Sequence, residues 1–398
     1  MTAGSVPGPG AALAAPASLR DRWLGWRNRL VASPRFQRWA AGFPLTQGIA
    51  RKNTRALFDL CAGFVYAQVL TACVRLDLFR ILSEGPLTLD ALARRLDLPV
   101  ENARCLLRAA ASLNLVQALP EDRFGLADLG AALTGNPGIA AMVEHHALLY
   151  ADLADPVALL RGQAGPTRLA GYWPYAGGVS ADAAAVAPYG GLMGASQALI
   201  ADDVLDAVDL SGSRHLMDVG GGEGAFLQAV AARHKTLPLT LFDLPAVAGR
   251  AAERLAQAGL SERIACRGGS FHDGLPASAD TITLIRIVHD HDDGPAQALL
   301  AAAHAALPPG GTLILAEPMA GTPGAEPVGD AYFGFYLLAM GSGRPRRSEE
   351  LRAMLRTVGF ATAYEQKTRR PLLTRLIVAQ KDVRWCKNDL TQHCVYLG

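Results

Sequence analysis

Two histidines and three aspartates follow an apolar segment near residue 290. Residues 281–288 (TITLIRIV) favour a buried strand, and residues 289–293 (HDHDD) follow it directly. A histidine at the end of a strand can act as a general base, because imidazole titrates near neutral pH. Asp290 or a neighbouring acid is expected to hold one tautomer of this ring. His289 is therefore the candidate catalytic residue, suited to removing a proton from a hydroxyl group.

The same cluster has two other interpretations. Two histidines and three acids could form a metal site, but five consecutive side chains cannot all face one ion, so a metal is not expected. Asp290 or Asp292 could cap the helix that begins after the cluster, and capping is compatible with catalysis.

A glycine-rich loop marks a second site. Residues 215–219 favour a strand, glycines follow at 220, 222 and 224, and a helical pattern begins at Ala225. A dinucleotide site would have G-x-G-x-x-G around a pyrophosphate, whereas this loop is G-x-G-x-G and Asp218 precedes it. An acid there repels a pyrophosphate but suits a cation or amine. S-adenosylmethionine, which carries a sulfonium and an ammonium, fits this pattern.

A second strand supports that interpretation. Residues 239–243 end in Asp243, which can accept hydrogen bonds from ribose hydroxyls. A glycine-rich loop without special role was the alternative, and the added acid disfavours it. The cofactor-binding residues predicted at this stage are Asp218, Gly220, Gly222, Gly224 and Asp243.

Strands and helices alternate through residues 211–381. The pattern predicts a parallel sheet with helices on both faces, and ligands at the carboxyl ends of its strands. A helix at 348–358 precedes strands at 361–367 and 372–380, which indicates one strand inserted antiparallel. The other predicted elements are strands 215–219, 239–243, 263–267, 281–288 and 312–316, and helices 224–234, 245–258 and 293–306.

The preceding region predicts a winged helix. Helices at 88–96 and 99–113 are followed by a hairpin at 115–126. Such a layout could belong to a DNA-binding regulator. However, the second helix offers only Arg104 and Arg108, and the chain has a net charge of +2, so no nucleic-acid partner is expected.

The N-terminal region 19–39 has the pattern of a basic amphipathic helix. Leu19, Trp23, Trp26 and Leu30 share one face, and most of the arginines lie off it. This pattern is typical of a helix on a membrane surface, and packing on its own domain or on a second subunit is the alternative. There is no secretory signal, no apolar run of 18 residues and no paired cysteine motif. The expected location is cytoplasmic, with peripheral contact to an inner or intracytoplasmic membrane left open.

Four segments together resemble a known family. Residues 216–224 (LMDVGGGEG), 242–247 (FDLPAV), 289–293 (HDHDD) and 315–318 (LAEP) resemble the S-adenosylmethionine-dependent O-methyltransferases that include the caffeic acid and hydroxyindole enzymes. The resemblance implies a Rossmann-like methyltransferase sheet, parallel with one antiparallel strand, preceded by a winged-helix dimerisation domain. It therefore implies a homodimer that uses S-adenosyl-L-methionine.

The resemblance also implies a division of the chain. The expected units are an extension at 1–50, a dimerisation domain at 51–137, a helical linker that covers the substrate at 138–210, a catalytic domain at 211–381 and a tail at 382–398.

Residue roles carry over from the family position by position. His289 is implied as the general base, and Leu244, Ser270, Phe271 and Arg286 join the cofactor-binding residues. The residues expected on the substrate side are Met193, His146, Trp173 and Glu317, of which Glu317 could instead orient the base. The alternative for His145 and His146 is ordinary hydrogen bonding within partly buried helix.

Three positions depart from the family pattern. Gly269 stands where an aspartate is usual, His291 where a tryptophan is usual, and Arg346 where an acid flanks the base. These differences leave the placement of the base between two acids open.

Within the family, three segments resemble carotenoid methyltransferases of purple phototrophic bacteria. They are residues 26–39 (WRNRLVASPRFQRW), 171–178 (GYWPYAGG) and 286–293 (RIVHDHDD). The resemblance implies methylation of the tertiary 1-hydroxyl of an acyclic carotenoid. Methylation of a phenolic or polyketide hydroxyl, or C-methylation of a tetrapyrrole, is the alternative.

Overall fold

The computed structural model describes residues 18–172 and 199–383, with residues 194 and 197 between them. Its helices, besides helical residues at 199–207, are α1 (Leu19–Ala32), α2 (Pro34–Gly42), α3 (Gln47–Arg75), α4 (Leu78–Ser83), α5 (Leu89–Arg95), α6 (Val100–Ser112), α7 (Asp128–Thr134), α8 (Pro137–Asp152), α9 (Pro156–Leu160), α10 (Arg168–Tyr172), α11 (Ala225–Arg233), α12 (Pro245–Gln257), α13 (Asp293–Ala306), a π-helix (Pro327–Phe333), α14 (Gly334–Met340) and α15 (Ser348–Thr357).

Two sheets contain the strands of the described chain. The strands are β1 (Leu87–Thr88), β2 (Val116–Leu119), β3 (Arg123–Leu126), β4 (Leu216–Val219), β5 (Leu239–Asp243), β6 (Ile264–Gly268), β7 (Thr281–Ile285), β8 (Thr312–Glu317), β9 (Thr362–Gln366) and β10 (Arg375–Gln380). The larger sheet has the order β6-β5-β4-β7-β8-β10-β9. Pairing is parallel from β6 to β8, and β10 runs antiparallel to both of its neighbours. This arrangement confirms the predicted fold class.

Alternating side chains build a core on each face of this sheet. In β8, Leu313 and Leu315 pack on the side of α13 and α15, whereas Ile314 packs on the side of α11 and α12. Strands β4 and β7 are buried on both faces, and Asp218 and Thr283, two of their polar residues, hydrogen-bond to each other. The parallel arrangement leaves the carboxyl ends of five strands at one edge, where the candidate site lies.

The winged-helix module forms its own core. Leu92 of α5, Leu107 of α6 and Phe124 of β3 are buried together. Thr88 caps α5 by accepting a hydrogen bond from the amide of Ala91 at 3.3 Å. Strand β1, which the sequence did not predict, adds a third strand to the expected hairpin by pairing with β3.

One predicted strand end was wrong. Strand β7 ends at Ile285 rather than at 288, because Arg286 has a φ of 58° and the next two amides bond to the Glu317 side chain instead of a neighbouring strand. In the segment expected to be a helical linker, the first amides of α10 donate to Asp152.

The N-terminal helices lie largely outside these cores. No residue of α1 is buried, and Ala40 is the buried residue of α2. Within the described chain, α3 alone is long and apolar enough to cross a membrane by length and mean hydropathy, although polar residues such as Asp59 and Gln68 interrupt its apolar stretch.

Candidate active site

The carboxyl ends of five strands bring the predicted site residues to one edge of the sheet. The glycine loop follows β4, Asp243 ends β5, and Ser270 follows β6. His289 lies in a 3₁₀ turn after β7, and Glu317 ends β8. The adjacency of these strands thus joins segments that lie up to about 100 residues apart in the chain.

Glu317 organises the turn that carries the candidate base. Its Oε1 accepts hydrogen bonds from the amides of Ile287 at 3.1 Å and Val288 at 2.7 Å. Its Oε2 bonds to Nδ1 of His289. Because Glu317 is only 1% exposed and both of its oxygens are used, its geometry favours orienting His289 over the predicted contact with a substrate. We call residues 288–291 the catalytic turn.

His289 lies between two acids. Nδ1 meets Glu317, and Nε2 lies 3.1 Å from Oδ1 of Asp290. Burial by itself would lower the pKa of His289, but the charges of Asp290 and Glu317 outweigh it and raise the pKa. Burial also raises the pKa of the Asp290 carboxyl to about 6. His289 is thus flanked by a carboxyl group at each ring nitrogen, although Arg346 stands at the position where the family pattern has a second acid.

The other residues of the polar cluster have structural partners. Asp292 stands at the start of α13, but its side chain accepts from the amide of Gly343 at 2.9 Å and does not cap the helix, contrary to one interpretation of the sequence. Burial lowers the pKa of His291 to about 4, so this ring is neutral. Among the described residues, no group of three or more His, Cys, Asp or Glu could hold a metal ion.

A hydrogen bond joins the glycine loop, which follows β4, to Asp243 at the end of β5. Oδ2 of Asp243 accepts from the amide of Gly222 at 2.8 Å, and Oδ1 accepts from the amide of Leu244 at 2.7 Å. Gly220 has a φ of +70°, and a Cβ there would lie 2.6 Å from the Ile287 side chain. The loop therefore packs directly against the residue that precedes the catalytic turn.

Asp218 lies beneath the loop. It is 2% exposed, and its Oδ1 accepts from Oγ1 of Thr283 at 2.6 Å. Burial raises the pKa of Asp218 to about 7 and that of Asp243 to about 6. A bound cation would favour the ionised form of both groups. Open space beside Gly222 and two buried acids fit the ammonium, sulfonium and ribose of S-adenosylmethionine.

Gly269, where the family pattern has an aspartate, packs closely on Phe242. A Cβ at this position would lie 2.8 Å from the Phe242 ring, so an aspartate would require that ring to shift. Ser270 Oγ accepts from the amide of His272 at 3.2 Å, and the Phe271 ring meets the His291 ring edge-on with centroids 5.2 Å apart. The histidine in the usual tryptophan position thus packs on a predicted cofactor residue.

Two histidine–tyrosine pairs lie next to Phe333, and we call these side chains together the aromatic wall. Nε2 of His145 lies 2.9 Å from the hydroxyl of Tyr336, and Nε2 of His146 lies 2.9 Å from that of Tyr332. Burial lowers the pKa of both histidines, to about 4 for His145, so both pairs are neutral. Phe333 connects this wall to His289, with ring centroids 5.7 Å apart.

Sequence reasoning missed the tyrosines of this wall. They stand four residues apart in a segment that reads DAYFGFY, so aromatic spacing on one helical face was the available signal. Of the predicted substrate residues, His146 belongs to the aromatic wall, because it contacts the hydroxyl of Tyr332. Met193 and Trp173 lie outside the described residues.

Comparison with known proteins defines the class. Residues 150–361 match an O-methyltransferase domain, and residues 58–136 match an O-methyltransferase dimerisation domain. The chain belongs to the O-methyltransferase family, and it is an S-adenosylmethionine-dependent enzyme of that family. The matched dimerisation domain supports the predicted homodimer.

Three known proteins illustrate the likeness. Demethylspheroidene O-methyltransferase of Rhodobacter capsulatus is 43% identical over 94% of this chain and 93% of its own. The protein of the same name from Cereibacter sphaeroides is 46% identical over 84% of this chain and 88% of its own. The crystal structure of human N-acetylserotonin methyltransferase with S-adenosylmethionine is similar in fold, with a TM-score of 0.68, 23% identity, and coverage of 83% of this chain and 98% of that one.

Proposed function

We propose that this protein transfers the methyl group of S-adenosylmethionine to the tertiary 1-hydroxyl of an acyclic carotenoid of the demethylspheroidene or hydroxyneurosporene type. The observation that carries the proposal is the buried His289–Glu317 pair beside the glycine loop. The two demethylspheroidene O-methyltransferases, which match most of the chain, support the substrate class.

The cofactor side is proposed from the two buried acids. Asp243 orders the glycine loop and offers its carboxylate to the ribose hydroxyls. Asp218 supplies negative charge beneath the loop, and Arg286, Ser270 and Phe271 complete the proposed boundary of the site. When bound, the donor supplies a methyl group on a positive sulfur, ready for displacement by an oxygen nucleophile.

His289 is proposed as the general base. Nδ1–H of His289 donates a hydrogen bond to Glu317, so the free electron pair lies on Nε2, beside Asp290, where it can receive the proton of the substrate hydroxyl. An aliphatic alcohol is far less acidic than imidazolium, so proton removal must accompany methyl transfer. As the bound donor supplied its methyl group to the hydroxyl oxygen and kept the former carbon–sulfur electron pair on sulfur, the hydroxyl proton would move to Nε2 of His289. Glu317 and Asp290 then stabilise the imidazolium.

Positioning must supply much of the rate, because the base alone cannot produce a free alkoxide. Correct placement of reacting groups can be worth about 7–11 kcal/mol. The aromatic wall of Phe333, Tyr332 and Tyr336 supports a proposed binding surface for an apolar polyene. The described part of the predicted substrate-covering region supports the same side, because His145 and His146 of α8 meet the tyrosines there.

The decisive experiment is transfer of labelled methyl from S-adenosylmethionine to 1-hydroxyneurosporene. We expect the native protein to label the carotenoid, and His289→Ala to lose about 10²- to 10⁴-fold in kcat while still binding the cofactor. His234→Ala, at the end of α11, is the control and should retain activity. Full activity of the His289 variant would refute the base. Cofactor binding without carotenoid labelling would refute the substrate, and phenolic and tetrapyrrole acceptors would then be tested.

We further infer that residues 19–39 contact a membrane surface. Trp23 and Trp26 of α1 are 54% and 55% exposed, and Trp39 of α2 is 53% exposed. Arginines surround them, and the Arg27 guanidinium lies 5.7 Å from the Trp23 ring centre. Exposed tryptophans beside arginines suit the interface of an anionic bilayer. A lipophilic substrate would be reached from that location.

Vesicle cosedimentation tests this contact. We expect binding to vesicles that contain phosphatidylglycerol, weaker binding to pure phosphatidylcholine, and loss of binding in Trp23→Ala/Trp26→Ala. Leu160→Ala removes a side chain that is 60% exposed elsewhere, and it should bind normally. Equal binding by the tryptophan variant and the native protein would exclude the membrane role. A changed oligomeric state in that variant would instead assign the helix to the subunit interface.

A further inference from the structure

The back of the catalytic turn is bound by residues 342–346, which we call the clamp segment. Four consecutive carbonyl oxygens of the turn each accept a hydrogen bond from it. The pairs are Val288 O with Arg346 Nη1 at 2.9 Å, His289 O with the Arg344 amide at 2.9 Å, Asp290 O with Ser342 Oγ at 3.0 Å, and His291 O with Arg346 Nη2 at 2.8 Å. Every peptide carbonyl of the turn thus has a donor from one segment.

Arg346 supplies two of these four hydrogen bonds. Its side chain is 2% exposed and ranks first by volume among the fully buried side chains of the described chain. Oδ1 of Asp293 balances its charge, at 3.1 Å from Nε and 2.8 Å from Nη2. A planar guanidinium fixes the directions of its donors, so it holds several acceptors in one geometry. Burying a charge is costly unless it is paired and hydrogen-bonded, and here it is both.

Gly343 brings the clamp segment into direct contact with the turn. Its φ is +83°, and a Cβ there would lie 2.2 Å from the carbonyl oxygen of His289 and 2.6 Å from the carbonyl carbon of Asp290. No side chain fits between the two backbones. The turn is therefore held from behind by the clamp segment and from the front by Glu317.

We propose that Arg346 is a positioning residue for methyl transfer, which fixes the backbone of the catalytic turn so that the His289 imidazole stays against Glu317. The inference rests on the proposed role of His289 as general base. Arg346 stands at the family position where an acid usually flanks the base. It binds the carbonyls of Val288 and His291, on either side of His289, and acts on the base through the backbone.

Arg346→Lys tests the proposal, because an ammonium keeps the charge but cannot bridge both carbonyls with the same fixed geometry. We expect kcat to fall about tenfold to a hundredfold, as for a small misplacement of a reacting group. The dissociation constant for S-adenosylmethionine, measured by calorimetry, should stay within about twofold. If Arg346 only stabilised the fold, Arg346→Lys would lower the unfolding midpoint and leave kcat of the folded enzyme unchanged.

Arg263→Lys is the matched control. Arg263 Nη2 also donates to two backbone carbonyls, those of His234 at 2.9 Å and Leu237 at 3.4 Å, near the start of β5 and away from the catalytic turn. We expect a similar change in the unfolding midpoint but an unchanged kcat. If Arg263→Lys lowers kcat as much as Arg346→Lys does, the positioning role is refuted.

Two further variants keep the test decisive. Ser342→Ala removes one of the four hydrogen bonds without disturbing the buried charge, and we expect kcat to fall about twofold to fivefold. In the His289→Ala background, Arg346→Lys should cause no additional loss, because there is no base left to position. Unchanged kcat in both Ser342→Ala and Arg346→Lys, or a full additional loss in the double variant, would overturn the inference. Full activity of His289→Ala alone would instead refute the proposed base.

Discussion

The candidate active site and the N-terminal helices differ in where their interaction partners lie. We call the candidate site, at the carboxyl ends of β4 to β8, the crevice. In the crevice, Glu317, Asp243 and Arg346 each hold two or more groups of the same chain, and Glu317 and Arg346 are buried. In α1, no side chain is buried, and two tryptophans face outward. Internal hydrogen bonds thus define the crevice, whereas α1 leaves its tryptophans available for the proposed contact with a membrane.

The largest effect is expected for Glu317→Gln. A glutamine amide would donate to Nδ1 of His289, which forces the proton onto Nε2 and leaves no base there. We expect kcat to fall about 10²- to 10⁴-fold. Because the lost carboxylate had raised the pKa of His289, the remaining activity should appear at lower pH than in the native enzyme. A pH–rate profile of both enzymes measures both effects.

Glu365→Gln is the control for this change. Glu365 also lies on a strand of the large sheet, where its carboxylate pairs with Arg375 at 2.6 Å. Its loss should leave the pH–rate profile unchanged. If Glu317→Gln also leaves the pH–rate profile unchanged, catalysis does not depend on the buried His289–Glu317 pair.

The affinity for S-adenosylmethionine should depend on pH. The pKa of Asp218 is raised to about 7 and that of Asp243 to about 6, and the ionised forms attract the cationic ligand better. Affinity should therefore rise as the pH rises through these values, by about tenfold between about pH 5.5 and about pH 8. Calorimetry at several pH values measures this dependence.

S-adenosylhomocysteine, which lacks the positive sulfur, should show a weaker pH dependence. Asp218→Asn and Asp243→Asn should each weaken the dependence of S-adenosylmethionine affinity on pH. Asp209→Asn should not, because Asp209 accepts from the Ser211 amide at an exposed turn. A flat curve for the native protein would show that neither buried acid is linked to cofactor binding.

Tyr332→Phe should have a smaller effect. The change removes the hydroxyl that meets His146 and leaves a partly buried ring nitrogen without that partner. We expect a loss of about 1 kcal/mol in the free energy of unfolding and a few-fold rise in KM for the carotenoid. Urea unfolding and steady-state kinetics measure the two. Tyr364→Phe, at an exposed site on β9, should change neither quantity.

The smallest effect on the fold is expected for Trp23→Ala/Trp26→Ala. Neither ring is buried, so the free energy of unfolding should change by less than about 0.5 kcal/mol. By contrast, Phe226→Ala in the sheet core should cost about 3–5 kcal/mol. Urea unfolding in the absence of lipid compares the two. If the free energy of unfolding of the tryptophan variant fell by more than about 1 kcal/mol, α1 would contribute to the stability of the fold after all.

Much of the fold could be predicted from local patterns. Apolar strands such as 239–243 and capped helices such as the one after Thr88 follow from periodicity and capping alone. The antiparallel last strand followed from two consecutive strands at the end of the domain. The short strand β1 and the early end of β7 could not be predicted, because each depends on a partner elsewhere in the chain.

The sequence by itself determined the chemical inventory of this protein: the glycine loop, the acids at the strand ends, the histidine after β7 and the exposed aromatic helix. These are properties of residue type and spacing along the chain. Only the tertiary structure decided which groups meet. Glu317 reaches His289 because β8 lies beside β7, and Arg346 reaches the catalytic turn because its segment folds back over it. Hydrogen bonds act over about 3 Å in space, and sequence spacing does not encode that distance for residues so far apart in the chain.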